Sequence, residues 1–483
     1  MAQHGSEVFA EISNRPKPVL YEKKSAPLGK TITEVQREIE VLREVDVIVA
    51  GGGPGGVAAA VAAARGGAKT ILLERYGHLG GMATGGLVNI IPNLGDIYGE
   101  HHIGGFCQEL IERLAARGAA CFPEKQYWGK NEESVVEHYR NSNMMHFYIR
   151  KNKENELVVL YTAVVDPEVG KDEMNTMVLE SGAELLLHTW VTSPIMEGNT
   201  VKGVVVETKS GRQALLGKVV IDSTGDGDLL PGTGVETVEY MKVPSRIAKF
   251  GFVFWICNVD LKKFDEFKKA EPEKFQKINQ EITDMGGSPR FSWGQLDQHE
   301  GVVWIHHLLD SIHQTDPEEM TYIDVKTRNM CIKSWELLRK LMPGFEKSFV
   351  MQVAPQLGTS GGLRVVGEYY LTEKDMDTNQ PFEDTIAIFA DNDRGEKSLQ
   401  YPKTYVPYRS LVPKGIEGFL VACRAFSADF EFSEYFNLIP HCMCFGQAAG
   451  AAAAIAIKDG VSVRDVDFAK LRNELLKHGA ILP

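Results

Sequence analysis

Apolar positions in this chain fall into several textures. Residues 47–50 and 70–73 are short unbroken apolar runs, the pattern of strands buried on both faces. An alanine-rich helical stretch lies between them. GFCQELIERLAAR (105–117) carries apolar residues at helical spacing. Asp166-Pro167-Glu168 reads as a helix start: an acid at the N-cap, proline in the first position, and early negative charge. Gly182 reads as that helix's stop. Residues 185–191, 200–208 and 218–221 follow as strands. Between about 236 and 400 the texture changes to aromatic-rich strands (250–257, 302–308) and charged helices (261–275, 324–341). Residues 418–422 return to a buried strand, and Pro440 opens a long helix. Residues 1–40 read as a polar arm ending in a short helix (31–42).

The turn between the first two apolar runs carries chemistry. Gly51, Gly53 and Gly56 stand at GxGxxG spacing within GGGPGG, with Pro54 and Gly55 completing it, and Glu74-Arg75 closes the second run. The first glycine permits a tight turn, the second lets backbone approach a pyrophosphate, and the third lets helix pack on strand. The helix start offers unpaired N–H groups to phosphate. Glu74 stands near the roughly 20-residue spacing at which an acid takes a ribose hydroxyl. Strand, glycines, helix and acid in register predict a dinucleotide site in a Rossmann-like α/β domain.

Composition narrows the classes. A net charge of −13 over 483 residues disfavours a nucleic-acid surface, which rewards clustered cations. The sequence reads as having no apolar run of membrane-span length, and its polar first residues lack the apolar core of a secretory signal. Seven scattered cysteines without a CxxC pair fit reduced thiols in a cytoplasm and remove a dithiol relay. No metal-ligand spacing is read.

Two further segments matter. In the final helix Gly446, Gly450 and Ala454 fall at i, i+4 and i+8, leaving one face nearly bare, and the helix start is a site for negative charge. DSTGDGD (222–228) ends a strand in small residues and carboxylates, at the edge where open α/β sheets bind ligands.

GGGPGG with Glu74, LGGMATGGLV (79–88), DSTGDGDL (222–229), VPYRSLVPKG (406–415) and IPHCMCFGQAAGAAAA (439–454) together resemble the FAD-dependent oxidoreductase family. So does the stretch 316–346 of the middle region. The resemblance covers about 44–475 and implies a glutathione-reductase-type FAD-binding domain (41–235 and 400–483) with an inserted α+β substrate domain (236–399). It implies FAD bound noncovalently. Gly51, Gly53 and Gly56 would face the pyrophosphate and Glu74 the adenosine ribose. Gly80, Gly81 and Thr84, with Met82 between them, would line flavin and phosphates, and the Val191 backbone would sit near adenine. Asp226, after Thr224 and Gly225, would sit near the ribityl chain or phosphates. Gly446 and Gln447 would face the flavin. The chain departs from its relatives at Cys423 (often Gly), Phe430 (often His) and His441 (usually a small hydroxyl residue).

Hydride transfer to a flavin generally needs a base for the adjoining proton, and imidazole suits neutral pH. His441 at the helix start is the first candidate, with a backbone-bonded structural histidine as the plain alternative. His306 and His307 lie on one strand, so alternation sends at most one inward. Arg424 could hold a carboxylate or the flavin. The expected enzyme is a dehydrogenase or oxidase acting on a C–OH or C–N bond of a small molecule. A reductase of an activated C=C bond and a non-catalytic flavin module remain alternatives. The electron acceptor is open among oxygen, a quinone-like compound and a protein. A homo-oligomer is possible, and neither nucleic acid nor membrane is expected as a partner.

Overall fold

The computed structural model describes residues 29–34, 36–141, 145–239, 249–287, 289–293, 296, 299–358 and 361–483. Most of the polar arm lies outside them. The chain divides into two units. The larger comprises 37–141, 145–240 and 361–483, and the smaller contains 241–360.

The larger unit builds on β1 (Val41–Ala50), α1 (Pro54–Arg65), β2 (Thr70–Leu73), α2 (Gly105–Ala116), α3 (Pro167–Glu180) and β3 (Glu184–Leu186). They are followed by β4 (Trp190–Glu197), β5 (Thr200–Thr208), β6 (Gly211–Asp222), β7 (Phe419–Val421) and α4 (Ile439–Asp459). Strands β3, β2, β1, β6 and β7 pair in that order, all parallel. The first half of β6 also pairs antiparallel with β5, and β5 with β4. The result is a mixed α/β unit with a parallel sheet. Every residue of β2 is buried, as its unbroken apolar run requires. Asp166 caps α3 through the Glu168 and Val169 N–H groups at 2.8 and 3.0 Å, and Gly182 beyond its end has φ +89°.

Several expectations change. No helix covers 31–34 or 36–40. Instead Glu40 accepts the Ala214 N–H at 2.8 Å and Val41 pairs with Ala214, so this backbone is drawn into the sheet. The strand expected at 185–191 is two strands, broken at His188 with φ +55°. That break lets Leu186 pair with Leu73 while Val191 pairs with Val206. The helix expected at 261–275 is two helices, Leu261–Ala270 and Pro272–Asp284, because Pro272 cannot continue a helix. Residues 361–399, assigned by sequence to the inserted domain, belong to the larger unit, where Thr385–Ala390 forms a hairpin with Lys403–Pro407. Helix α4 is long enough, with a mean hydropathy of 1.2, to meet the test for a membrane span, contrary to the sequence reading. Its most apolar window is 89% buried within the protein, so it packs as a core helix.

The smaller unit holds a four-stranded antiparallel sheet in the order Arg290–Trp293, Val303–Leu308, Gly251–Cys257, Phe349–Val353. The long helix Pro317–Leu341 packs on it. His307 is fully buried, stacked on Phe254 at 5.7 Å, with Nε2 3.1 Å from Ser334 Oγ. Burial pushes its imidazole down to about 4. Unfolded histidine titrates near 6.5, so the unfolded chain binds the extra proton between those values. The neutral ring's contribution is complete above pH 6.5 and is lost as pH falls through 4, on the order of 3 kcal/mol in all. Urea unfolding of the parent should weaken over that window, and a His307→Phe, Ser334→Ala double variant should lack this part of the slope.

Candidate functional site

The site starts where β1 ends. Gly51 has φ +96°, its N–H donates to the Leu73 carbonyl at 2.8 Å, and a Cβ there would stand 2.5 Å from the Ser223 carbonyl oxygen. A Cβ on Gly55 would meet the Ala422 carbonyl oxygen at 2.1 Å, and one on Gly56 the Gly51 carbonyl oxygen at 1.7 Å. Internal packing explains these three glycines. Gly53 is different. Its φ of −69° suits any residue, and a Cβ there would meet nothing closer than Ser223 O at 4.0 Å. Neither conformation nor packing requires glycine at that position. It precedes Pro54 at the start of α1, where helical N–H groups lack internal partners. Open space in front of such donors fits a diphosphate.

A second glycine loop borders this cradle. Gly80 N–H donates to the Gly52 carbonyl at 2.8 Å, and a Cβ on Gly81 would lie 3.0 Å from the Gly53 Cα. Thr84 is buried and its hydroxyl donates to Leu79 O at 2.5 Å, holding the loop closed. Met82 is half-buried in the short 3-10 turn Gly81–Ala83. Beside the cradle, Glu74 accepts the Gly52 N–H at 2.6 Å and the Tyr76 N–H at 2.8 Å. Burial raises its carboxyl despite these bonds. Val191 is buried on β4, one residue from an exposed Trp190.

The end of β6 forms a third wall. Asp222, wholly buried, accepts the Thr224 N–H at 3.0 Å and hydroxyl at 2.7 Å. Gly225, with φ +92°, lies under the Arg424 guanidinium, and Arg424 pairs with Asp226. Although Asp228 reaches the surface, the protein packed around its carboxyl, then the Asp226 and Asp222 carboxylates, push it up to about 7. Arg424 and Arg75 are the cations facing this group.

Helix α4 joins the site through α1. A Cβ on Gly446 would meet the Gly55 carbonyl oxygen at 1.9 Å, and one on Gly450 the Ala59 carbonyl oxygen at 2.2 Å. The bare face thus presses on the helix that begins at the cradle, and the Cys442 carbonyl oxygen would lie 3.1 Å from a Gly55 Cβ. Two residues expected to face the flavin have packing partners of their own. Gly446 faces α1. Gln447 turns its carboxamide to the start of α2, accepting the Phe106 N–H at 3.0 Å and donating to His478 O at 3.3 Å.

His441 is fully buried, its ring 4.1 Å from Phe389 and 5.5 Å from Phe436 by centroids. Its Nδ1 accepts the Leu438 N–H at 3.2 Å. His306 is half-buried with its ring 5.6 Å from Trp304, while His307 points inward, as strand alternation requires. The Ser223 and Ala422 carbonyls, which decide where glycine is compulsory, carried no signal in side-chain spacing. Asp96, Glu100 and His102 bring ligand-type atoms within 4.8 Å of one another, a grouping the sequence reading missed. Protein partners take up much of it: Asp96 binds His102 Nε2 at 2.9 Å and the Tyr98 and Glu100 N–H groups, and Glu100 pairs with Lys403.

Residues 46–475 match the model of the FAD dependent oxidoreductase family, and the chain belongs to that family. It is an enzyme, an oxidoreductase whose cofactor is FAD. No curated protein matches it in sequence. Among solved structures it is similar to a geranylgeranyl bacteriochlorophyll reductase-like protein from Thermoplasma acidophilum, with 14% identity, 89% of this chain and 82% of that chain covered, and a TM-score of 0.42. It is also similar to p-nitrophenol 4-monooxygenase from Pseudomonas putida, with 11% identity, 91% and 87% coverage, and a TM-score of 0.44. Likenesses at this level say nothing of the reaction.

Proposed function

We propose that this oxidoreductase transfers a hydride between FAD and a carbon bearing oxygen or nitrogen in a small organic molecule. The observation that carries the reading is the pairing of two helix starts: α1 opens at the vacant face of Gly53, and the first turns of α4 lie against its Gly55. Bound FAD supplies two-electron redox chemistry. The residues then divide the work. The Gly53 cradle takes the diphosphate, Glu74 a ribose hydroxyl, and Arg424 holds Asp226 at the rim. The start of α4 adds a positive dipole end on the same side. The parallel sheet with its antiparallel β4–β5–β6 extension supports a glutathione-reductase-type cofactor domain, and the smaller unit supports a separate substrate domain. Burial raises the Cys107, Cys423, Cys442 and Cys444 thiols. With no CxxC pair in the sequence, substrate meets the cofactor directly in this reading, and the acceptor is oxygen, a quinone-like compound or a protein.

The decisive experiment is anaerobic screening of hydroxy and amino compounds for loss of oxidised flavin absorbance. Bleaching by one such class supports the reading. No bleaching, with rapid reoxidation of dithionite-reduced protein by an activated alkene, replaces it with the C=C reductase reading. His441 is assigned to holding the start of α4. His441→Ala should cost about 3–5 kcal/mol in urea unfolding, as removal of a buried ring does. Flavin reduction in the folded variant should then stay within about threefold of the parent. A loss near the roughly 10²-fold typical of a missing base would return His441 to proton transfer.

A further inference from the structure

Three carboxyl groups crowd the end of β6, and two guanidiniums face them. Asp222 accepts the Thr224 N–H and hydroxyl and, at 3.2 Å, the Leu229 N–H. Asp226 pairs with Arg424. Asp228 differs from both. Its backbone N–H donates to Thr224 Oγ1 at 2.9 Å, which fixes the residue, yet its carboxyl makes no hydrogen bond or ion pair among the described residues. The cations it faces are Arg75, just past β2, and Arg424, just past β7. Arg75 also lies against the Tyr76 and Trp190 rings, and Glu74 beside it is bonded to the Gly52 and Tyr76 N–H groups. Three acids against two cations leave one carboxyl in excess. The one that nothing hydrogen-bonds takes a proton most readily.

Strands β2 and β7 flank β1 and β6. A group facing residues beyond both outer strands stands across the sheet edge where α1 opens. The loop that carries it touches the cradle: the Thr224 Cα lies 2.8 Å from where a Cβ on Gly51 would stand, and Ser223 O 4.0 Å from one on Gly53. A diphosphate at Gly53 adds negative charge to a mouth that already holds an excess acid, and like charges sharing a site favour the protonated form. We infer that Asp228 is a proton switch on the cradle, admitting the FAD diphosphate while its carboxyl is protonated and opposing it once ionised. The inference rests on the FAD reading above and adds a control on cofactor retention. Without flavin, burial first, then the Asp226 and Asp222 carboxylates, push Asp228 up to about 7. The diphosphate raises it further. Binding therefore takes up a proton above that value, and affinity is complete below it and falls as pH rises through it.

The test titrates FAD into the full chain stripped of flavin, by calorimetry in two buffers of different ionisation heat. The parent Kd should rise about tenfold between about pH 6 and about pH 8.5, with net proton uptake, since one group changes Kd by at most about tenfold per pH unit. Asp228→Asn keeps the shape and a hydrogen-bond donor. It should hold the parent's low-pH Kd at both values and lose that proton uptake, while Asp228→Glu should restore the slope. A parent with flat Kd and no proton uptake overturns the switch without recourse to any variant, and so does an Asp228→Asn protein with the parent's full slope. A folded parent that takes up no FAD at either pH overturns the underlying cofactor reading instead, so the two failures are distinguishable.

Discussion

Gly53→Val should give a folded protein that is colourless. The parent should purify yellow or take up FAD when stripped. In the variant the new side chain enters the space in front of the α1 start, and a Cβ there meets nothing closer than 4.0 Å. The backbone at φ −69° accepts it, so the flavin-free fold loses only about 1 kcal/mol, the difference between glycine and a poor N-cap residue. The diphosphate loses its access to the helix N–H groups. Two charge-assisted bonds at about 1.5–3 kcal/mol each amount to a hundredfold or more in Kd. Isothermal titration of the stripped proteins with FAD, alongside thermal melts without it, separates the two quantities. Parent-like affinity in a folded Gly53→Val protein would show that this space is not where phosphate sits.

The contrast between Gly53 and its neighbours explains how far sequence alone could see. The β1–α1–β2 unit was legible because each of its determinants is local: a short apolar run, glycines at fixed spacing, Pro54 in the first helical turn, and Glu74 closing the next run. The Asp166 cap was legible for the same reason, since donor and acceptor lie three residues apart. What sequence missed depends on distant partners. Gly446 and Gln447 lie in a helix whose start carries dipole, so a cofactor role was the natural reading. Only the fold shows that Gly55 and Phe106, hundreds of residues away, occupy those two positions. The break at His188 is a positive-φ residue with no glycine to announce it. Residues 361–399 have the mixed texture of the middle region, yet the hairpin through Thr385–Ala390 pairs forward to Lys403–Pro407, and pairing overrides texture.

Gly446→Val should fail to fold, for the opposite reason to Gly53→Val. A Cβ on Gly446 would stand 1.9 Å from the Gly55 carbonyl oxygen, 2.7 Å from its carbon and 3.0 Å from the Ala58 Cβ. The first two are backbone atoms of a neighbouring helix and cannot rotate away. Helix α4 would have to lift from α1 by more than an ångström along a contact that continues through Gly450 on Ala59 and Ala454 on Gly66. Separating a close-packed interface forfeits contacts along its whole length. The expected cost therefore exceeds the roughly 1–3 kcal/mol of ordinary overpacking and reaches the 4–5 kcal/mol range that marks exceptional substitutions. Lys458→Val on the exposed end of the same helix controls for adding a β-branched residue and should stay soluble. Soluble yield and urea unfolding measure the difference. A Gly446→Val protein as stable as the parent would mean that α4 does not lie on α1 at this distance. The start of α4 would then be detached from the cradle, and the pairing of helix starts that supports hydride chemistry here would go with it.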